Sequence, residues 1–172
     1  MPIEPTQIKS LVEAELLELH DARVTSHIRK LLVEPTVILR AWDHGAPSQT
    51  YPCWAILNHT KSNTGIAYCE FGFGPRAPWG LVALSGSSNM SIGMDSGWFV
   101  SFIDAYFDSR ASIDLPIWRV FKQEGDLFPG TALTEESDWN STWKEVYRLR
   151  AADTGSRYDC NQSIARTKRH CQ

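Results

Sequence analysis

Two adjacent strand-like segments constrain the fold of this chain most, because both of them are apolar on either face. YPCWAILNH (51–59) and TGIAYCEFGF (64–73) flank the polar stretch TKSN, and this order predicts a β-hairpin. With the turn centred in TKSN, Cys53 lies opposite Cys69 and shares a face with Leu57. Strands without a polar face belong inside a sheet that is covered on both sides, so we expect this hairpin in the core.

In the rest of the chain, segments whose apolar residues have helical spacing alternate with segments whose composition is typical of strands. Apolar residues recur at helical steps in the segments 8–19, 24–32, 98–109 and 139–150. Further strands are predicted at 36–42, 79–84 and 115–123. We therefore predict an α+β fold, in which N-terminal helices precede a mainly antiparallel sheet of about five strands with a packed helix and a C-terminal helix.

Short polar residues mark where the helices begin. Asp21 is expected to cap the second helix, Asp95 or Ser96 the third, and Ser137 the fourth. The stretch DLFPGTALTEESD (126–138) has the composition of a loop.

The chain length fits one folded domain. Its 172 residues bury enough apolar surface to fold without disulfides or metals, and we predict a single α+β domain over residues 1–153. Residues 154–172 are polar and poor in large apolar side chains. We expect a basic tail there, with a tendency to disorder.

The charge of the chain is unevenly distributed. Between residues 156 and 172 a net charge of +3 arises from Arg157, Arg166, Lys168 and Arg169 against Asp159, which leaves −6 for the rest because the whole chain carries −3. An acidic body favours a basic protein partner through electrostatic steering of the encounter. Nucleic acid requires a basic face and is not the expected partner.

The sequence gives little indication of a targeted or membrane-bound protein. The first residues lack a basic stretch followed by an apolar run, and no window approaches about 18 apolar residues in a row. We expect a cytoplasmic protein whose four cysteines are thiols. Four N-x-S/T triplets would matter only if the chain were secreted.

No cofactor or metal is expected from the motifs. The turn GFGPRAPWG lacks the Lys-Ser/Thr of a phosphate-binding loop, and its two prolines remove amide donors. Cys53, Cys69 and His59 do not form a zinc site in the predicted hairpin, because His59 is roughly 20 Å along the strand from Cys53 at ~3.3 Å per residue.

Two kinds of site remain as hypotheses. The first is a small enzyme with an acid–base site around Asp43, His44 and Asp95, since polar residues that follow a strand often form sites. The second is a partner-binding surface. Its predicted residues are three carboxylates, two tryptophan anchors at the rim of the loops and one arginine at the proline-rich turn: Asp43, Asp95, Asp104, Trp79, Trp98 and Arg76.

The sequence favours binding over catalysis. We expect a non-enzymatic acidic protein that binds one protein partner, and small acidic α+β proteins that neutralise a toxin, such as immunity proteins, share this profile as a class. A self-associating scaffold that uses Trp139 and Trp143 as its seam is a third hypothesis, although tryptophans at that spacing are also typical of a core-facing helix.

Overall fold

The computed structural model describes residues 3–41, 46, 48–70, 76–85 and 97–164. Within these residues the chain forms four α-helices and two antiparallel sheets, so the predicted α+β fold is confirmed. The chain divides into two compact units, the second of which begins at Ile113. That residues 1–153 form a single domain stays a prediction.

The first unit contains three helices and a five-stranded sheet. Its elements in chain order are α1 (Pro5–Leu16), α2 (Ala22–Leu31), β1 (Leu32–Ala41), β2 (Thr50–His59), β3 (Thr64–Tyr68), β4 (Trp79–Ala83), β5 (Trp98–Phe99) and α3 (Phe102–Asp108). The strands lie side by side in the order β1-β2-β3-β4-β5, and every neighbouring pair is antiparallel. Among the described strands, β1 and β5 therefore form the two edges of this sheet.

The hairpin predicted from the sequence is present as β2 and β3. Trp54 pairs with Tyr68, which places Cys53 across from Cys69 as predicted, and the two thiols share a hydrogen bond. The prediction for Leu57 is wrong, because the register shifts between Ala55 and Leu57. Leu57 consequently pairs with Ile66, and the extra residue moves it off the face of Cys53.

A buried carboxylate joins α1 to α3. Glu15 accepts hydrogen bonds from the backbone N–H groups of Phe102 and Ile103, at 3.1 and 3.0 Å. These donors lie at the N-terminus of α3, where the backbone has no partner within the helix. The apolar side chains around this contact come from the inner faces of α1 and α3 and include Val12, Leu16, Phe102 and Tyr106.

The predicted helix starts are partly correct. Asp21 caps α2 by accepting from the backbone N–H groups of Arg23 and Val24. The third helix begins later than predicted, because Phe99 lies in β5 and the Ser101 Oγ caps α3 by accepting from the Asp104 N–H. The alternative caps, Asp95 and Ser96, lie outside the described residues.

The second unit packs one helix against a three-stranded sheet. It contains β6 (Trp118–Glu124), β7 (Leu127–Ala132), α4 (Trp139–Ala152) and β8 (Tyr158–Gln162), with the strands in the order β7-β6-β8. Asp138, rather than the predicted Ser137, caps α4 by accepting from the Ser141 N–H at 2.9 Å. The buried residues Val120, Val146 and Cys160 come from β6, α4 and β8 and form part of its core.

Two strands of this unit occupy segments that the sequence did not predict as strands. The loop predicted over 126–138 contains β7, which Gly125 permits by turning the chain with a φ of +57°. Gly130 then allows β7 to approach β6 closely, since a Cβ there would overlap the carbonyl oxygen of Lys122. The polar segment after residue 154 contains β8, whose backbone pairs with β6 from Trp118 to Lys122.

Replacing Glu15 by Gln should destabilise the first unit by about 2–3 kcal/mol, because the amide loses the negative charge and presents a donor to buried N–H donors. The matched control is Glu13→Gln, which removes only the exposed ion pair with Arg29 and should cost about 1 kcal/mol or less. Urea unfolding midpoints measure both changes. Equal losses in the two variants would contradict this role for Glu15.

Candidate functional site

The three residues of the predicted acid–base site, Asp43, His44 and Asp95, lie outside the described residues. The structure therefore gives no distances between the side chains of this hypothetical acid–base site. Asp43 and Asp95 also belong to the predicted binding surface, of which Asp104, Trp79, Trp98 and Arg76 are described.

Trp79 is a core residue and not an anchor at the rim of the loops. Only 2% of its surface is exposed. Its ring makes edge-to-face contacts with Tyr68 and Phe102, at centroid distances of 5.0 and 5.3 Å. These contacts pack β4 against α3, and they explain why a large aromatic residue occupies this core position.

Trp98 and Arg76 are the more accessible of the predicted loop residues. Trp98 is half-buried and covers Gly80 on the neighbouring strand, where a Cβ would lie 2.8 Å from the indole ring. The same ring packs against a buried cluster made of Cys53, Ala67, Cys69 and Val82. Arg76 is exposed in the turn that precedes β4. Of these two residues, Arg76 is exposed and Trp98 is partly covered.

The outer side of α3 combines acidic residues with an exposed apolar residue. Asp104 and Asp108 are one helical turn apart. Asp104 is half-buried and accepts from the Ser101 hydroxyl at 2.6 Å, whereas Asp108 is on the surface. Val100, which the sequence did not single out, lies just before the helix cap and is 71% exposed. We call Val100, Asp104 and Asp108 the α3 surface.

The Asp108 carboxyl of the α3 surface is partly desolvated. Partial burial raises the pKa of the Asp108 carboxyl above its ordinary value. A carboxylate that has already lost part of its hydration gains more from an opposite charge than a fully hydrated one does. An arginine or lysine placed beside Asp108 would therefore stabilise the ionised form.

The facing thiols of the hairpin form a second cluster of reactive groups. Cys53 and Cys69 are fully buried, and Arg40 is buried near them with its guanidinium donating to the carbonyl oxygens of Leu39 and Ala83. The hydrogen bond between the Cys53 thiol and Cys69, together with burial, raises the pKa of Cys53, while the charge of Arg40 acts in the opposite direction. Cys53 is therefore a protonated thiol at neutral pH, which is a poor nucleophile.

A short chain of polar side chains closes the turn between β2 and β3. The Ser62 Oγ lies 2.7 Å from both the His59 Nδ1 and the Thr64 Oγ1. Ser62 also donates to the His59 carbonyl oxygen at 3.3 Å, and Asn63 adopts a φ of +57°. Serine and histidine can form a nucleophile pair, but these contacts tie together neighbours in one tight turn. The signal for these contacts in the sequence is the spacing H-x-x-S-x-T from His59 to Thr64.

The described part of the chain shows neither a metal site nor a membrane-spanning helix. In that part, no group of three His, Cys, Asp or Glu residues could hold a metal ion. Likewise, none of its helices is long and apolar enough to cross a membrane.

Comparisons with known proteins give no family for this chain. No protein family matches the sequence, and no curated protein or solved structure matches it either.

The two buried hairpin thiols should resist alkylation in the folded protein. Burial and the raised pKa of Cys53 should make iodoacetamide labelling of Cys53 and Cys69 at neutral pH at least about tenfold slower than in urea-unfolded protein. Mass spectrometry of the labelled peptides measures the rates. Equal rates in the folded and unfolded protein would show that the pair is open to solvent.

Alkaline pH should destabilise the fold in part through Cys160. Burial, with a contribution from Asp159, raises the pKa of this thiol from 9.0 to about 12. The folded state therefore keeps the Cys160 proton at pH values at which the unfolded state has lost it. The contribution of this thiol to the free energy of unfolding is fully present below pH 9 and is lost between pH 9 and 12. Urea unfolding of Cys160→Ala should show a smaller fall over that range. An identical fall in both proteins would rule out this contribution.

Proposed function

We propose that this chain is a non-enzymatic binding protein that docks a basic protein partner through the α3 surface. The observation that carries the proposal is the exposure of Val100, which lies just before a short helix that carries two carboxylates. An apolar side chain that is 71% exposed gains free energy when a partner covers it. Carboxylates next to it provide steering and select for positive charge.

The rigidity of α3 supports this assignment. Glu15 holds the first two N–H groups of the helix, and Phe102 packs against the buried Trp79. Val100 and Asp104 are thus close to a fixed helix end, and ordering them on binding costs little conformational entropy. Arg76, which is exposed in another segment, could pair with an acidic residue of the partner.

A finer version of the proposal is an immunity-type protein that neutralises a toxin. Toxins that act on nucleic acid have basic active surfaces, because they must bind phosphates. The net charge of −3 and the carboxylates of the α3 surface suit a protein that covers such a surface. This version rests on the general chemistry of acidic inhibitors and requires the partner to be identified.

Charge reversal on α3 tests the proposal. The tagged protein is used to capture partners from the lysate of its own cells at low and high salt, and captured proteins are identified by mass spectrometry. We expect one stoichiometric basic partner at low salt, with a loss of affinity of about tenfold or more in Asp104→Lys/Asp108→Lys.

The control reverses two exposed carboxylates of the β6–β7 turn, Glu124→Lys and Asp126→Lys, which changes net charge equally and leaves α3 intact. Asp108→Lys alone spares the bond between Ser101 and Asp104, and circular dichroism verifies that each variant is folded. Equal loss in the control and the α3 variant would indicate a net-charge effect. Unchanged affinity in the α3 variant would refute the proposed surface.

A further inference from the structure

We propose that Cys53 and Cys69 are a redox pair, which a small-molecule disulfide oxidises to a cross-strand disulfide between β2 and β3. Both residues are reduced thiols in the structure, and each is 1% exposed. In the register of β2 with β3, Trp54 is opposite Tyr68, so the two cysteines are directly opposite each other. The hairpin therefore contains a site of covalent modification that the proposed binding function does not use.

Backbone hydrogen bonds show that the two cysteines form the closer kind of cross-strand pair. The Cys69 N–H donates to the Pro78 carbonyl oxygen at 2.7 Å, in the segment that leads into β4. Because the N–H and C=O groups of a residue in an antiparallel strand bond to the same neighbour, those of Cys69 point away from β2. Cys53 and Cys69 are thus a non-hydrogen-bonded pair, for which the Cα atoms are about 4.5 Å apart. A disulfide needs a Cα separation of roughly 4.4–6.8 Å, so this pair is close enough to be linked.

The side chains of the pair are also in contact. They pack with Ala67 and Val82 in one buried cluster. The two thiols share a hydrogen bond, which only neighbouring groups can form. The sulfur atoms therefore need only side-chain rotation, and no change in strand register, to form a bond.

Access to the pair depends on local opening of the hairpin. In the closed sheet both thiols are buried, and Trp98 packs against their cluster, so an oxidant does not reach them. Cys69 directly follows Tyr68, the last residue of β3, at the end of the hairpin away from the turn. Strand ends open more readily than strand centres, so oxidation should be slow but should proceed without global unfolding.

The oxidation is a two-step exchange with a small-molecule disulfide such as oxidised glutathione. The thiolate of one cysteine attacks a sulfur of the oxidant, which forms a mixed disulfide and releases one glutathione thiolate. The second cysteine then attacks the mixed disulfide at the protein sulfur and releases the other glutathione thiolate. Overall, the S–S bond of the oxidant breaks and the bond between Cys53 and Cys69 forms. Two electrons pass from the protein to the oxidant, and the two cysteine protons end on the released thiols.

Oxidation of the purified protein tests the inference. The protein is incubated with excess oxidised glutathione in native buffer, and also at a urea concentration below the unfolding transition, which promotes local opening. After the remaining thiols are blocked with N-ethylmaleimide, peptide mass spectrometry identifies the linked cysteines. We expect one link within the chain, between Cys53 and Cys69, and an increased urea unfolding midpoint, because the link restricts the unfolded chain.

The matched control moves one thiol by two residues. Cys53→Ala/Ala55→Cys keeps two cysteines in the hairpin but places the first diagonally to Cys69, since Ala55 is opposite Ala67. Diagonal Cα atoms are about 7–8 Å apart, which is too far for a disulfide. We expect at least about tenfold less internal link in this variant than in the native protein. Circular dichroism verifies that the variant is folded.

A native protein that keeps both thiols, or retains glutathione on either cysteine, in both buffers would overturn the inference. A lower urea midpoint for the linked protein would also overturn it, because the link would then strain the hairpin. So would equal linking in the control, because strand register would then not select the pair. The inference is independent of the proposed function, and Asp104→Lys/Asp108→Lys should be oxidised as the native protein is.

Discussion

The buried carboxylate of Glu15 is the interaction on which the arrangement of the first unit depends. A carboxylate removed from water is costly unless strong donors replace its hydration, and the backbone N–H groups of Phe102 and Ile103 do so. The same contact satisfies two donors that the start of α3 would otherwise leave unpaired. It therefore fixes α3 against α1, and with α3 it fixes the residues from Val100 to Asp108 that we propose as a binding surface.

The five-stranded sheet has two buried thiols in its interior and exposed apolar side chains on its edge strand β1. In the interior, the facing thiols of Cys53 and Cys69 pack with Ala67 and Val82, and the raised pKa of Cys53 keeps that thiol protonated. At the edge, Val37 and Leu39 of β1 keep substantial exposure although they belong to the same sheet. The thiols are thus removed from solvent, whereas these two apolar side chains at the edge remain in contact with it.

Much of the fold follows from local sequence patterns. The hairpin of β2 and β3, the cap at Asp21 and the helix α4 were predictable because each rests on a short stretch of the chain. The errors have non-local causes. Leu57 changes face through a register shift that no pattern in β2 signals, and β7 and β8 gain their strand conformation by pairing with β6. For the candidate site, the place of Asp104 on a helix was predictable from helical spacing, whereas the burial of Trp79 was not.

The sequence by itself determined the four helices and most of the strands, the acidic balance and the placement of Cys53 opposite Cys69, because period, charge and turn position are properties of neighbouring residues. Only the tertiary structure decided which side chains are accessible. Trp79 and Val100 are both apolar and close to loops, yet Phe102 covers one and the other is left in solvent. Exposure depends on contacts between distant segments, such as the bond of Glu15 to Ile103, and these contacts have no local signature in the chain.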